Sequence, residues 1–489
     1  MSSKKRVLII ADYYIRSTGY ARVASSIMLH LKDKYDIGHL GVSDIPINPD
    51  IKHPIDYYTV LKNHGKCCGK GDIIEHRPKD SNVTQYLVPT LSVPHHKDQN
   101  FCNRAPNIES DLYGQDSCFF VIQHFKPDIV IPINDIWGLY HYNYLLNRNN
   151  YIFAPYLAID SECFPAKINP QKPNMPIIDT LKFVSGTNKV IVFTEFAKNT
   201  LNETVKLITG DKEANNIAII PHGVDRNLFK PLDNKSELRE KYFHLSPDKD
   251  IFLLGVVSRN QVRKSFDLLM MSLKIFIDRY EKPNKKLLCH FHCAMEDRMG
   301  WDLVHLAKYY NVLDRCIFDN KLMPGMGVPE PILNEIMNSY NAHILLSTAE
   351  GWGLSILETM SAGIPNIVSN FSAHGDWTED AVLKVKIAAK FHEVRTNHRR
   401  AIADVNHAAK QISLLYNSPK LCREYSKKSI QLADKLQWKN VCDKWIELID
   451  SFDISKFTED RYNSEIINNK LIPEFPKNPI NTEFELLEI

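Results

Sequence analysis

A glycine-rich turn between two glutamates is the segment of this 489-residue sequence whose residue types and spacing most clearly indicate chemistry. It lies within residues 347–369, STAEGWGLSILETMSAGIPNIVS. We predict that a strand ends near Ser347 and that a helix runs from about residue 354 to residue 362. The turn then brings free N–H groups of the helix start to the carboxyl end of a strand, where an open α/β sheet binds ligands and a helix dipole favours phosphate. Glu350 and Glu358 would hold two different parts of one ligand.

The elements that position this turn are short apolar runs that alternate with segments of helical spacing. Continuous apolar runs are typical of parallel strands buried on both faces. Their alternation with helices favours βαβ units in an open, doubly wound sheet. The runs in the first half of the chain are 6–11, 128–133, 151–159, 189–194 and 217–220. The runs in the second half are 251–257, 286–293, 315–319, 342–347 and 364–369.

This pattern predicts an α/β protein with two Rossmann-like domains in tandem. The first domain would span residues 1–229 and carry an insertion at about 46–118, which has several Pro, Gly and His residues and only weak strand signals. The second domain would span residues 230–435 and begin with a charged linker that contains a short helix. Residues 401–452 are predicted to be helical throughout.

Composition and charge exclude several classes of protein. Lys plus Arg total 60 and Asp plus Glu total 58, and a net charge of +2 argues against bulk electrostatic binding of nucleic acid. No apolar run approaches the ~18 residues of a membrane span, and the apolar stretch that starts at Val7 ends at Asp12, too early for a signal peptide. The ten cysteines are sparse and lack a framework spacing. We therefore expect a cytoplasmic protein with reduced thiols and no transmembrane segment, for which peripheral membrane contact stays possible.

The segment around the two glutamates resembles the donor-site signature of glycosyltransferase family 4, which has Glu, seven residues, Glu, a Gly-aromatic-Gly-Leu core and a following Ala-Gly-x-Pro. Three other places are similar to the family: residues 221–225 (PHGVD), Arg259 with Lys264, and Gln437-Trp438. The resemblance is dense over about residues 217–450. It implies the type B fold, in which two Rossmann-like domains face a cleft and carboxy-terminal helices, here 436–467, return to the first domain. Residues 468–489 would form an irregular tail.

The resemblance implies a retaining, metal-independent glycosyltransferase that needs no cofactor. Such an enzyme moves a hexose from a nucleotide-sugar donor to a hydroxyl of a sugar, glycan or lipid-linked acceptor. Breaking the sugar–phosphate bond leaves negative charge on the nucleoside diphosphate, which something positive must meet. By resemblance, Arg259 and Lys264 supply that charge, Arg as a bidentate clamp and Lys as a point charge.

The family pattern also assigns the residues that bind the donor. Glu358 would accept hydrogen bonds from the ribose hydroxyls, and Glu350 would bind hydroxyls of the transferred sugar. Gly19, after the first strand, would let the chain pass close to the donor phosphates. The backbone that faces the sugar and diphosphate would belong to Gly351, Trp352, Gly353, Leu354 and Ser355.

The sequence departs from the family pattern at several positions. Ser258 and Ser265 replace glycines beside Arg259 and Lys264, and His222 stands where Asn is common. Many members have a His-Asp pair near the reacting carbon, and the matching place here is Ile159-Asp160. Asp160 or Glu162 would bind the acceptor hydroxyl or act as base, unless they only form a polar strand end.

Other functions are compatible with parts of the sequence. A catalytically silent, sugar-binding relative is one alternative because the family histidine is missing, and a nucleotide-sugar epimerase of the same fold is another. A dehydrogenase is disfavoured because the turn that ends at Gly19 lacks the Gly-x-Gly-x-x-Gly pattern.

Two groups of residues raise the question of a metal site. The string Asp248-Lys249-Asp250 precedes its strand, away from the expected donor crevice. His290 and His292 would share one face of a strand, with Cys289 and Cys293 on the other. No second ligand pair at metal-site spacing is evident, so we interpret them as buried strand residues.

Overall fold

The structure is a computed structural model. It describes residues 4–13, 18–42, 74–76, 83–87, 117–145, 148–162, 164–165, 167–168, 178–210, 214, 216–246, 250–319, 322, 327–394, 396–457 and 461–462. Most of the predicted insertion at 46–118, residues 248–249 and the predicted tail at 468–489 lie outside these ranges.

The first half of the chain forms one large sheet with flanking helices. Its strands are β1 (Arg6–Asp12), β2 (Asp36–Val42), β3 (Ile74–His76), β4 (Val83–Leu87), β5 (Ile129–Asn134), β6 (Ile152–Phe153), β7 (Tyr156–Leu157), β10 (Val190–Val192) and β11 (Ile217–Ile219), and a small separate pair is formed by β8 (Lys167–Ile168) and β9 (Ile178–Asp179). Its helices are α1 (Gly19–Leu31), α2 (Ser117–Phe125), α3 (Ile136–Leu139), α4 (Thr180–Ser185) and α5 (Glu195–Thr209).

The second half forms another sheet of βα units after the linker helix α6 (Lys235–Phe243). Its strands are β12 (Ile251–Val257), β13 (Lys286–His292), β14 (Cys316–Phe318), β15 (Ala342–Leu345), β16 (Asn366–Ser369) and β17 (Leu383–Val385), followed by the hairpin of β18 (Ile387–His392) and β19 (Arg399–Ala403). Its helices are α7 (Phe266–Arg279), α8 (Leu303–Tyr309), α9 (Glu330–Asn338), α10 (Leu354–Ser361), α11 (Ser372–Trp377), α12 (Val405–Asn417), α13 (Pro419–Lys435) and α14 (Trp438–Ser451).

The strand order fixes where each sheet can bind a ligand. The second sheet runs β14-β13-β12-β15-β16-β17 with all pairs parallel, which is the doubly wound order 3-2-1-4-5-6. Its order reverses between β12 and β15. The first sheet runs β11-β10-β7-β5-β1-β2-β4-β3, with β6 beside β5, and reverses between β5 and β1. Ligands of such sheets bind outside the carboxyl ends of the strands at these reversal points.

The core explains why these runs form central strands. Every residue of β5 and of β12 is buried, as expected for parallel strands covered by helices on both faces. One apolar cluster packs α7 and α12 on one face of the second sheet, and another fills one face of the first sheet. A third cluster combines residues of both domains and includes the fully buried Trp445 of α14.

Helix α14 packs on the first domain. It contacts α1, and the Val224 N–H donates to the Leu436 carbonyl at 2.9 Å just before the helix begins. Lys5 of the first domain donates to the carbonyls of Ile449 and Phe452 at 2.9 Å each, at the end of α14. A cation at a helix C-terminus satisfies carbonyls that have no partner within the helix.

The structure corrects the prediction for residues 401–452. Their first three residues belong to β19, which pairs antiparallel with β18, and the helices start only at Val405. The buried residues of β19 alternate with more exposed ones, which is the period of a strand rather than a helix.

The described helices include none with the length and apolar character that crossing a bilayer requires.

Candidate functional site

The reversal point of the second sheet carries a cluster of three charged side chains. Lys264 follows β12 in a single 3₁₀ turn, Val262–Lys264, and Glu350 follows β15. The Lys264 Nζ lies 2.5 Å from Glu350 Oε1, and Arg263 Nη1 lies 2.8 Å from Glu350 Oε2. Arg263 also donates to the Ala349 carbonyl at 2.6 Å. The site therefore holds two cations around one carboxylate.

Burial and charge together set the protonation of this cluster. Burial alone would raise the pKa of Glu350, but Arg263 and Lys264 outweigh it and hold that pKa well below its usual range. Burial, followed by repulsion from Arg263, lowers the pKa of Lys264 to about 8 although Glu350 opposes the change. A phosphate group near Lys264 would favour its charged form.

The turn after Glu350 has the backbone geometry that its glycines predict. Gly353 has φ +93°, a left-handed conformation, and precedes α10, which begins without a side-chain cap. The side chain of Trp352 is buried and stacks on Trp377 at a centroid distance of 4.4 Å and an interplanar angle of 5°. The ring of Trp352 therefore packs inside the protein, and the role of its backbone in donor binding stays a prediction.

The turn meets the first domain across a narrow gap. A Cβ added to Gly19, at the start of α1, would lie 3.3 Å from Leu354 Cδ1. A Cβ added to Gly351 would have Ala158 as its nearest neighbour at 3.6 Å. The two predicted donor-site glycines thus lie where the two domains approach each other. Ser355 lies in the first turn of α10.

Glu358 forms an ion pair across the same gap. Its Oε1 accepts a hydrogen bond from Nη2 of Arg22, which lies on α1. The Nε of the same arginine also binds Glu330 Oε1 at 2.7 Å. The Glu358 side chain is only 6% exposed, and burial raises its pKa although Arg22 opposes the shift. No local pattern indicates a role for Arg22, because a lone Arg on an amphipathic helix is usually solvated.

Arg259 lies in a different contact from the one expected. Its Nε and Nη2 bind the Asp297 carboxylate at 2.6 and 3.3 Å, and its side chain is 54% exposed. Arg263, not Arg259, is the arginine that joins Lys264 at Glu350. Its position directly before Lys264 was the available signal, whereas the arginine that matches the family pattern is Arg259. The catalytic role of Arg259 stays a prediction.

Asp160 lies in an interdomain ion-pair network. It follows β7, and its Oδ2 lies 3.0 Å from Nη1 of Arg400 of β19. Burial would raise the pKa of Asp160, but Arg400 and Arg263 lower it below the usual range. Glu162 pairs with Lys390 of β18 at 2.6 Å. The hairpin of the second domain therefore forms ion pairs with both acidic residues that were predicted to bind the acceptor hydroxyl or act as base.

Asp135 is an acidic residue that the sequence analysis missed. It follows β5 directly, at the reversal point of the first sheet. Burial, and then the charge of Asp160, raise the pKa of Asp135 to about 7, although interaction with Tyr20 opposes the rise. A polar residue directly after the apolar run 128–133 was the signal that could have found it.

His222, which departs from the family pattern, is a buried packing residue. Its Nδ1 lies 2.8 Å from the Tyr156 hydroxyl, and its ring packs against Phe193 and Trp352. Burial lowers the pKa of His222 to about 3, so the ring is neutral at physiological pH.

Comparison with protein sequences gives a partial match. No family model matches the chain. The UDP-Gal:alpha-D-GlcNAc-diphosphoundecaprenol alpha-1,3-galactosyltransferase of Escherichia coli is 28% identical over 158 residues. The match covers 32% of this chain and spans 38% of the length of that relative.

Comparison with solved structures extends over nearly the whole chain. Sucrose-phosphate synthase from Thermosynechococcus elongatus aligns with a TM-score of 0.61 at 15% identity, over 91% of this chain and 98% of that one. HepE from Anabaena in complex with UDP and glucose aligns with a TM-score of 0.59 at 13% identity, over 92% of this chain and 100% of that one. A glycosyltransferase from Rickettsia africae aligns with a TM-score of 0.58 at 14% identity, over 93% of this chain and 100% of that one. The predicted fold is confirmed: this chain has the two parallel-sheet α/β domains of the type B glycosyltransferase fold.

Proposed function

We propose that this chain is a retaining, metal-independent glycosyltransferase that transfers a hexose from a nucleotide-sugar donor to a hydroxyl acceptor. The observation that carries the proposal is the contact of Lys264 and Arg263 with Glu350 at the reversal point of the second sheet. Two cations held beside a free helix start meet the charge that develops on a leaving diphosphate, and they need no metal ion to do so. Retention is carried over from the family resemblance.

The donor would bind mainly to the second domain. Its diphosphate would lie at Lys264 and the start of α10, with the hexose toward Glu350 and the ribose hydroxyls on Glu358. A UDP-hexose is the donor class we favour, since the partial relative is named for UDP-Gal and the HepE structure contains UDP and glucose. Arg259 would approach the diphosphate by leaving Asp297, because its exposed side chain is free to turn.

The acceptor would bind against the first domain. Asp135 is the group best suited to take a hydrogen bond or proton from the acceptor hydroxyl, because a pKa of about 7 lets a carboxyl exchange a proton near neutral pH. Asp160, held ionised by Arg400, would orient Arg263 and Arg400 and raise the pKa of Asp135. The leaving phosphate would share the deprotonation of the acceptor, as the family resemblance implies. A GlcNAc-diphospho-lipid is the first acceptor to test, because the partial relative is named for one.

A thermal-shift panel tests the donor site directly. The full-length chain is incubated with UDP, UDP-glucose, UDP-galactose, GDP-mannose and ADP-glucose, each with and without EDTA. A ligand at 100 times its dissociation constant adds about 2.7 kcal/mol to the free energy of unfolding. We expect a UDP-sugar to raise the unfolding temperature equally in both conditions. No shift with any nucleotide would rule the proposal out.

A transfer assay separates catalysis from binding. The UDP-sugar that binds is offered to the GlcNAc-diphospho-lipid in detergent, and product formation and the anomeric configuration are followed by NMR. Retention of the anomeric configuration is expected, and an inverted product would contradict the proposed mechanism. Abolition of transfer by a chelator with recovery in Mg²⁺ would contradict metal independence.

A catalytically silent nucleotide-sugar-binding protein is the second candidate. The observation that favours it is that Asp160, at the place of the family histidine, is held in an ion pair with Arg400. Binding of a UDP-sugar without transfer, and without slow hydrolysis of the donor in water, would favour this candidate. Hydrolysis without an added acceptor would already exclude it.

A further inference from the structure

Two histidines and one aspartate converge at the carboxyl ends of two strands of the second sheet. His290 and His292 lie two residues apart on β13, and Asp319 directly follows β14. The parallel pairing of Phe291 with Phe318 brings Asp319 beside His292. Spacing along the chain indicates the two histidines but no further ligand, because only the pairing of the strands supplies Asp319.

The ligand atoms of the three side chains form a compact group. His292 Nδ1 lies 2.6 Å and His290 Nε2 lies 3.2 Å from Asp319 Oδ2. All three atoms lie within 4.8 Å of one another. Two ligands at about 2.0–2.2 Å from one Zn²⁺ ion lie at most about 4.4 Å apart, so the group is compact enough to hold one ion once the 2.6 Å contact between His292 and Asp319 widens.

The orientation of His290 is fixed by contacts on its other side. Its Nδ1 lies 2.7 Å from the Tyr340 hydroxyl, and the Phe243 ring of the linker helix packs on it at a centroid distance of 4.7 Å. This leaves Nε2, fully buried, directed at Asp319 without the geometry of a hydrogen bond to it. A metal-bound histidine is commonly held in this way, with the second ring nitrogen on a polar partner.

The negative charge of Asp319 also favours a bound cation. Its ion pairs in the described part of the chain are with these two imidazoles, and no Lys or Arg there is paired with it. The Asp319 side chain is 28% exposed, which leaves one side of the group open to solvent.

We propose that His290, His292 and Asp319 bind one divalent transition-metal ion of the Zn²⁺ class, with water in the remaining position. Two imidazoles and one carboxylate suit Zn²⁺, whereas Mg²⁺ and Ca²⁺ prefer oxygen ligands alone. The ion would tie the end of β13 to the end of β14. The proposal does not depend on the proposed transferase activity, since Lys264 and Glu350 follow other strands, β12 and β15.

Metal titration of the full-length chain tests this site. The protein is stripped with a chelator, dialysed, and titrated with Zn²⁺ or Mg²⁺ by calorimetry, with thermal unfolding measured in parallel. We expect one equivalent of Zn²⁺ to bind and raise the unfolding temperature, and Mg²⁺ at the same concentration to leave it unchanged. The variants His292→Asn and Asp319→Asn should lose at least ~10-fold in Zn²⁺ affinity. The exposed His305 provides the control His305→Asn, which should bind as the wild type does.

A variant outside the three ligands distinguishes a preformed metal site from nonspecific metal binding. Tyr340→Phe removes the hydroxyl behind His290 and keeps the ring, and it should weaken Zn²⁺ binding roughly 10-fold. Co²⁺ binding to the wild type, followed by visible absorption, gives a readout that needs no variant to fold. The proposal is wrong if the wild type binds neither Zn²⁺ nor Co²⁺, or if His292→Asn and Asp319→Asn, shown by circular dichroism to be folded, bind Zn²⁺ as the wild type does.

Discussion

Arg22 of the first domain forms an ion pair with Glu358 of the second, at the carboxylate that we expect to hold the donor ribose. Arg22 Nη2 contacts Oε1 of Glu358, and its Nε binds Glu330. One guanidinium therefore joins α1 to α9 and α10. We therefore expect the closeness of the two domains and the charge state of Glu358 to be coupled through this contact.

Replacing Arg22 should destabilise the chain more than replacing an exposed cation. Arg22→Met keeps most of the apolar stem but leaves the buried Glu358 without its cation, and we expect a loss of roughly 1–3 kcal/mol in the free energy of unfolding. The matched control is Lys34→Met, which removes an ion pair with Asp450 whose partners are 46% and 48% exposed, and it should cost below about 1 kcal/mol. Chemical denaturation measures both. Equal losses would mean that the interdomain pair is no more than a surface contact.

Removing either predicted diphosphate cation should slow transfer. We expect Lys264→Ala and Arg259→Ala to lower kcat by ~10²–10⁴-fold, since each removes charge that the leaving diphosphate needs. Steady-state kinetics with the donor identified by thermal shift provides the measurement. Near-wild-type turnover in both variants would overturn the assignment of the donor site. Loss in Lys264→Ala alone would place the second cation at Arg263.

The lowered pKa of Lys264 predicts a specific pH profile. Lys264 is charged in the free protein below its pKa of about 8 and loses its proton above it, so kcat/KM for the donor should fall as the pH rises through this value. A bound diphosphate favours the ammonium, so the corresponding fall in kcat should lie at higher pH. Lys264→Arg keeps its charge throughout this range and should lack the fall near pH 8. The same alkaline fall in that variant would assign it to another group.

Two glycines of the donor turn should respond differently to alanine. A Cβ on Gly351 has its nearest neighbour, in the first domain, at 3.6 Å, so Gly351→Ala should change the free energy of unfolding by less than about 0.5 kcal/mol. Its methyl group would nevertheless enter the space expected for the donor and should raise the Kd of the UDP-sugar at least ~10-fold. Gly353→Ala is the contrast, because Gly353 has φ +93° and Ile356 Cδ1 would lie 2.8 Å from the new Cβ. It should lower stability as well as affinity. Unchanged donor affinity in Gly351→Ala would move the sugar away from this turn.

Ionisation of Asp135 should lower the free energy of unfolding, so that stability depends on pH. Its pKa is about 7 in the folded protein against 3.8 as the ordinary value, so between these values the folded state binds more protons than the unfolded state. Stability must then fall as the pH rises through this window and level off above about 7. Asp135→Asn should remove this dependence and stabilise the chain by roughly 1–3 kcal/mol more at pH 8 than at pH 5, since one pKa unit corresponds to about 1.4 kcal/mol. Denaturation at both pH values measures the difference.

The exposed Asp443 of α14 provides the control for this experiment. Asp443→Asn should show no comparable difference between pH 5 and pH 8. Transfer by Asp135→Asn should also fall, because the amide cannot accept the proton of the acceptor hydroxyl. A variant that gains stability and keeps full activity would restrict Asp135 to a structural role.

The sequence by itself determined the fully buried central strands of both sheets, such as β5 and β12, and the turn that binds the donor in our proposal. Fully buried strands such as β12 need uninterrupted apolar runs, and the left-handed backbone at position 353 favours glycine. Local sequence therefore predicts both features. The expected helix 354–362 and the observed α10, Leu354–Ser361, agree for this reason. Lys264 and Glu350 were placed at strand ends by the same local logic.

Only the tertiary structure decided which side chains meet. Arg22 reaches Glu358 because the two domains close on each other, Arg400 reaches Asp160 through a hairpin that the sequence did not predict, and Asp319 reaches His292 through strand pairing. The pKa of Asp135 likewise depends on burial and on Asp160, which is distant along the chain. Spacing along the chain determines the secondary structure, but contacts between distant residues depend on how the sheets and domains pack, and no local pattern encodes that.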